Sequence, residues 1–126
     1  MKKTFLFLFL ILSLAVISNI GYAQELCTIE QPCDDPTNTT CIYFFYGDGC
    51  LHCARVEPFL SQLKEKYPLE VHNFEIYNNR SNLLILNKYF DSYQIPERER
   101  GIPAVFITNS YMIGDKPILD NLEEKI

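Results

Sequence analysis

The distribution of apolar residues from Cys41 onward alternates between short continuous runs and spaced positions. Cys41-Ile42-Tyr43-Phe44-Phe45-Tyr46 is β-branched and aromatic throughout and stops at Gly47-Asp48-Gly49, the pattern of a strand buried on both faces. Val56, Phe59, Leu60 and Leu63 then recur at spacings of three and four, which predicts an amphipathic helix of about four turns ended by Pro68. Pro58 falls inside that helix and is expected to kink it. Leu69 to Tyr77 alternates imperfectly and has strand-like composition. Ser81 is a candidate N-cap for a second helix over Asn82 to Tyr93, whose broad apolar face is Leu83, Leu84, Leu86, Tyr89, Phe90 and Tyr93. After a charged loop containing Pro96 and Gly101, Ala104 to Thr108 reads as a third strand. Asn109-Ser110 marks a turn, and Tyr111 to Ile113 a short fourth strand at an edge. Asp115 can cap a last helix, with Pro117 near its first turn, running to Leu122.

The order strand, helix, strand, helix, strand, strand, helix predicts an α/β domain with a central four-stranded mixed sheet flanked by helices. The first half is a βαβ unit, so its strands should be parallel with a right-handed crossover, and the tightly connected last two strands should be antiparallel. No internal repeat or low-complexity tract interrupts this order.

The residues before Cys41 have a different character. Lys2 and Lys3 precede an apolar run, Phe5 to Ile17, and Gly21 and Ala23 fit a small-x-small cleavage site. The run is shorter than the ~20 residues of a full membrane span. Residues 1–23 are therefore expected to be a cleaved signal peptide, with a retained membrane anchor through residues 4–20 as the alternative. Residues 24–40 read as an irregular polar leader and 41–126 as the folded domain. Cys27 lacks a small residue just before it, which disfavours a lipidated cysteine. The folded part is thus expected outside the cytosol (periplasmic, cell-surface or secreted), where disulfides persist.

Length and charge narrow the function. The chain has 126 residues and a net charge of -5, and loss of residues 1–23 removes two lysines and no acid, leaving -7. An acidic chain of this size without a basic block is a poor partner for nucleic acid. Five cysteines are many for its length, and their compartment gives them meaning.

Cys50-Leu51-His52-Cys53 lies between the buried strand and the first turn of a helix. Unpaired N–H groups at a helix start favour an anion, so the Cys50 thiolate should be stabilised and act as nucleophile. Cys53, one turn inside, should be the more buried resolving thiol, and a protonated His52 would add to the stabilisation of the Cys50 thiolate. Half of a zinc site and a purely structural disulfide are the alternatives. Zinc sites of this type draw on a second ligand pair, and Cys27, Cys33, Cys41 and His72 show no such spacing. A structural disulfide would leave the strand-to-helix position unused.

Tyr43 to Cys53 resembles the active-site strand and turn of thioredoxin-like proteins, and Gly101-Ile102-Pro103-Ala104-Val105-Phe106 resembles the loop and strand carrying that family's cis-proline. The resemblance covers Thr40 to the C-terminus and is closest to extracytosolic prokaryotic members, including domains attached to membrane electron-conducting proteins of the cytochrome c biogenesis type. It implies a thioredoxin-like fold, a cis Pro103, and Ile102 presenting its backbone to an extended substrate segment beside Cys50. It also implies a protein thiol–disulfide oxidoreductase with no cofactor, working as a monomer on protein thiols and disulfides. A membrane electron-transfer protein is the expected electron partner. A redox-inert peptide-binding module of the same fold and a zinc or copper chaperone using the same cysteines are the competing functions.

The chain also departs from the family pattern. Gly49 stands where a tryptophan usually precedes the first cysteine, Leu51-His52 replaces the usual intervening pair, and Phe44 replaces the buried acid of classical thioredoxins. Without that acid, the proton of Cys53 must leave through another base, for which Glu57 is a candidate, or through water. His52 resembles the oxidising members and the Gly101-Ile102-Pro103 loop the reducing ones, so the two cues oppose each other. Among the remaining residues, Cys27 and Cys33 are the preferred structural disulfide, with Cys33–Cys41 feasible and Cys41 otherwise a buried apolar thiol. His72 reads as a surface strand residue, and Glu97-Arg98-Glu99-Arg100 as a solvated loop flanking the substrate groove.

Overall fold

The structure is a computed structural model and describes residues 39–126. The predicted signal or anchor, most of the leader, and the Cys27–Cys33 pairing lie outside the described residues. Among the described residues no helix is long and apolar enough to cross a membrane.

Strand β1, Thr40–Tyr46, is the central spine. Its neighbours are β2, Leu69–Glu75, which pairs with it in parallel, and β3, Ala104–Ile107, which pairs antiparallel. Strand β4, Ser110–Ile113, adds antiparallel to β3 and completes a four-stranded mixed sheet of order β2-β1-β3-β4. The expected parallel βαβ unit and the edge position of the last strand are both present.

Helix α1, Cys53–Lys66, continues through Pro58, and helix α3 spans Asp115–Asn121. Both cover the face of the sheet that carries Ile42, Phe44, Val105, Ile107 and Met112, burying Val56, Leu60, Leu63, Ile118 and Leu122. Helix α2, Arg80–Ser92, covers the other face, where Leu86, Tyr89 and Phe90 meet Tyr43, Phe45 and Phe106. Successive β1 residues thus enter opposite layers, which is why the run has no polar position: both sides of the strand are covered. The α2 layer is aromatic, with Phe45 stacked on Phe74 at 4.8 Å and set edge-on to Phe106 at 5.7 Å between ring centroids.

Three expectations shift. Asn79, not Ser81, caps α2: its Oδ1 accepts from the backbone N–H of Ser81 and of Asn82. Leu83 and Leu84 are exposed, so the apolar face of α2 is narrower than its composition suggests. Gly114, at φ 93°, precedes α3 as its N-cap, and Asp115 is the helix's first residue rather than its cap.

Pairing register brings four distant segments to one end of the sheet. Tyr46, the last residue of β1, sits opposite Glu75, the last of β2. Phe45 sits opposite Ala104, the first residue of β3, and Ala104 opposite Ile113, the last of β4. The Gly47–His52 turn, the loop after Glu75, the Ile102–Pro103 peptide and the Gly114–Asp115 junction therefore converge.

Candidate functional site: the Cys50–Cys53 turn

Leaving β1, the chain reverses through Gly47-Asp48-Gly49, and the N–H of Cys50 donates to the Gly47 carbonyl at 3.1 Å. Gly49 has φ 74°, a region that favours glycine, which accounts for glycine at this position. The N–H of Ala54 donates to the Cys50 carbonyl at 3.1 Å, but α1 itself starts at Cys53, so Cys53 is the helix's first residue rather than one turn inside it.

Cys50 and Cys53 are joined by a disulfide, with their Cα atoms 5.2 Å apart. Cys50 is half-buried, whereas Cys53 is only 1% exposed and belongs to the aliphatic core with Phe44 and Val56. The backbone N–H of Cys53 donates to Cys50 Sγ at 3.2 Å. Cys50 is thus partly exposed with its sulfur facing a backbone donor, and Cys53 is sheltered in the core. Ile102 packs against the same core cluster as Cys50, and Pro103 beside it is fully buried, its peptide bond with Ile102 being cis.

His52 is exposed, and its Nδ1 lies 3.0 Å from Asp115 Oδ2. The same oxygen accepts from Arg55 Nη1, also at 3.0 Å. The hydrogen bond to His52 is the main cause that brings the Asp115 carboxyl down to about 2; partial burial opposes it, and Arg55 and the Lys116 N–H assist. Asp115, expected only as a helix cap, thus lies at the turn beside His52.

Glu75 is a second residue brought to the turn from a distant segment. Its carboxylate accepts from the N–H groups of Asp48, Tyr77 and Asn78, and so ties the turn before Cys50 to the loop after β2. Partial burial acts to raise its pKa, yet these backbone donors together hold it below the ordinary glutamate value. Tyr77 lies on this loop, 61% exposed, with its ring over Gly47, where an added Cβ would come within 2.4 Å of it. Leu51, at 82%, is the most exposed large apolar side chain among the described residues.

The other expected residues separate from this site. Glu57 is exposed on α1, and no charged or polar residue is buried among the described residues. Arg100 is not a free groove residue: it donates to the Ile95 carbonyl and to Asp91 and lies over the Phe90 ring. Cys41 is disulfide-bonded rather than a buried free thiol. It sits at the far end of β1, where its sulfur, Glu70 and His72 lie within 4.8 Å of one another. With that sulfur in a disulfide the trio offers no thiolate to a metal. His72 pairs with Glu70 at 3.3 Å and stacks on Tyr43, so it is a packed strand residue more than a surface one.

No family model matches the chain, and no curated protein matches it. The chemistry of the turn therefore rests on its own geometry.

Proposed function

We propose that the protein is an extracytosolic thiol–disulfide oxidoreductase of thioredoxin-like fold, with Cys50 as nucleophile and Cys53 as resolving thiol. The observation that carries this reading is the placement of the disulfide. It closes across a helix start, its outer residue Cys50 is partly exposed with the sulfur facing the Cys53 N–H, and its inner residue Cys53 is buried. A four-stranded mixed sheet with helices on both faces, and Pro103 at the same sheet end, support the fold assignment.

In the reducing direction the Cys50 thiolate attacks one sulfur of a substrate disulfide. The Cys50–substrate bond forms, the substrate S–S bond breaks, and the departing thiolate takes a proton from water. Cys53 gives its proton to solvent and attacks Cys50 Sγ, which closes the internal disulfide and releases the second substrate thiol. Two electrons pass from the dithiol to the substrate. The reverse sequence oxidises a substrate dithiol, and a protein dithiol or disulfide outside this chain restores the pair. No cofactor enters either direction.

Trapping tests the reading. The full-length Cys53→Ser variant, treated with oxidised glutathione, should hold one glutathione on Cys50, identified by peptide mass. Cys50→Ser should hold none on the buried Cys53. Equal modification of both cysteines, or none at Cys50, would overturn the assignment.

A further inference from the structure

Resting on that reading, we propose that Asp115 is a positioning residue of the redox site, which holds His52 and Arg55 at the helix start and so sets the balance between the dithiol and disulfide forms of Cys50–Cys53. The register of the sheet puts it there. Strand β4 ends at Ile113 opposite the start of β3, and the N–H of Gly114 donates to the Pro103 carbonyl at 2.7 Å. Asp115 follows at once, 63 residues after His52 in sequence and hydrogen-bonded to it in space.

The acid is the inner member of the trio. Its side chain is 15% exposed, against 66% for His52 and 68% for Arg55. An ionised carboxylate only accepts hydrogen bonds, so the ring nitrogen facing it, Nδ1, carries the hydrogen and Nε2 is the nitrogen left over. Without Asp115 both side chains would sample many rotamers on an open turn. With it, their orientation is fixed from a second element.

Charge of both signs meets at this turn. Arg55 and, when protonated, His52 are its positive groups, and Asp115, Asp48 and Glu75 bring carboxylates to it. Lys116 turns its ammonium to Asp120 instead. Where the two positive groups point therefore bears on the thiolate that forms on reduction, and Asp115 fixes where they point. The scaffold acid absent at Phe44 is thus not the only way for this fold to tune its cysteines; here the tuning group enters from the β4–α3 junction.

The test is a double-mutant cycle read by the equilibrium constant with glutathione, using the full chain and mass-tagging of free thiols. Asp115→Ala should shift the constant about threefold or more, the scale of one partly exposed ion pair. Asp115→Asn, which keeps the size and an acceptor oxygen, should move it in the same direction. In a His52→Ala background the Asp115→Ala shift should shrink below about 1.5-fold, the loss of coupling that action through His52 requires. A purely structural tie would lower the melting temperature and leave the constant unchanged; that result, or an equal shift in both backgrounds, would overturn the proposal. Failure of the wild-type pair to reach equilibrium would instead bring down the oxidoreductase reading and this inference with it.

Discussion

The two ends of β1 each carry a disulfide-bonded cysteine, and their surroundings are opposite. Cys41 lies within the strand, in register with Glu70, with a carboxylate and a histidine near its sulfur. A thiolate there would meet the Glu70 carboxylate. Cys50 lies just past the other end, where the helix leaves N–H groups unpaired, one of them pointing at its sulfur, with His52 and Arg55 close by. Both cysteines form the same bond, and on the proposed reading the Cys50 end is the one suited to breaking it. Redox lability is thus a property of the backbone and charges around a cysteine, and the fold places the two kinds of surroundings at opposite ends of one strand.

The largest expected effect that would sharpen this contrast is on exchange itself. Cys50→Ser should lower the rate of disulfide exchange with a peptide disulfide by at least about a thousandfold, since no second nucleophile stands in its place. Glu70→Gln, beside Cys41, should leave that rate unchanged; comparable losses would erase the distinction between the ends. Next in size is the support both ends share. Phe44 is 1% exposed and packs with Cys53, so Phe44→Ala should cost roughly 3–5 kcal/mol in urea denaturation.

A smaller effect concerns acid. Asp115 has its pKa lowered from 3.8 to about 2, first by the His52 hydrogen bond, so the stability it contributes is complete above about pH 4 and is lost as pH falls toward 2. Asp115→Asn should flatten the fall of melting temperature with pH in that window and leave the slope above pH 5 unaltered. An unchanged slope between pH 4 and 2 would mean that the contact to His52 contributes nothing to folding. The smallest effect is at Gly47, where alanine would press on the exposed Tyr77 ring. That ring can swing outward, so Gly47→Ala should cost no more than about 0.5 kcal/mol while raising the mobility of Tyr77 in its aromatic NMR signals.

Much of this was legible in the sequence wherever the signal is local. The continuous apolar run of β1, the spaced Val56, Leu60 and Leu63, and the C-x-x-C at their junction each carry their meaning within a few residues. What was missed is set by register or by rotation around a helix axis. Leu84 counts as apolar in any window, yet it lies two residues from Leu86, and that offset turns it away from the sheet. Asn79 and Ser81 are both good caps by type, and only the path of the chain after Glu75 selects Asn79. Glu75 reads as an ordinary strand-end glutamate until the parallel register sets it beside the Asp48 turn. Asp115 is the plainest case: its type and position suggest a cap, whereas its partner is 63 residues away. Cys41 looks like a core thiol from its neighbours, whereas it is disulfide-bonded.

The measurement that tests the central claim most directly follows both ends of β1 in one titration. The oxidised full chain is equilibrated across dithiothreitol redox ratios, and free thiols are mass-tagged and assigned by peptide. The account predicts that Cys50 and Cys53 open together in a single two-electron transition and close again on reversal, while Cys41 stays bonded to more strongly reducing ratios. Opening of Cys41 first, or a Cys50–Cys53 pair that does not re-close, would contradict it.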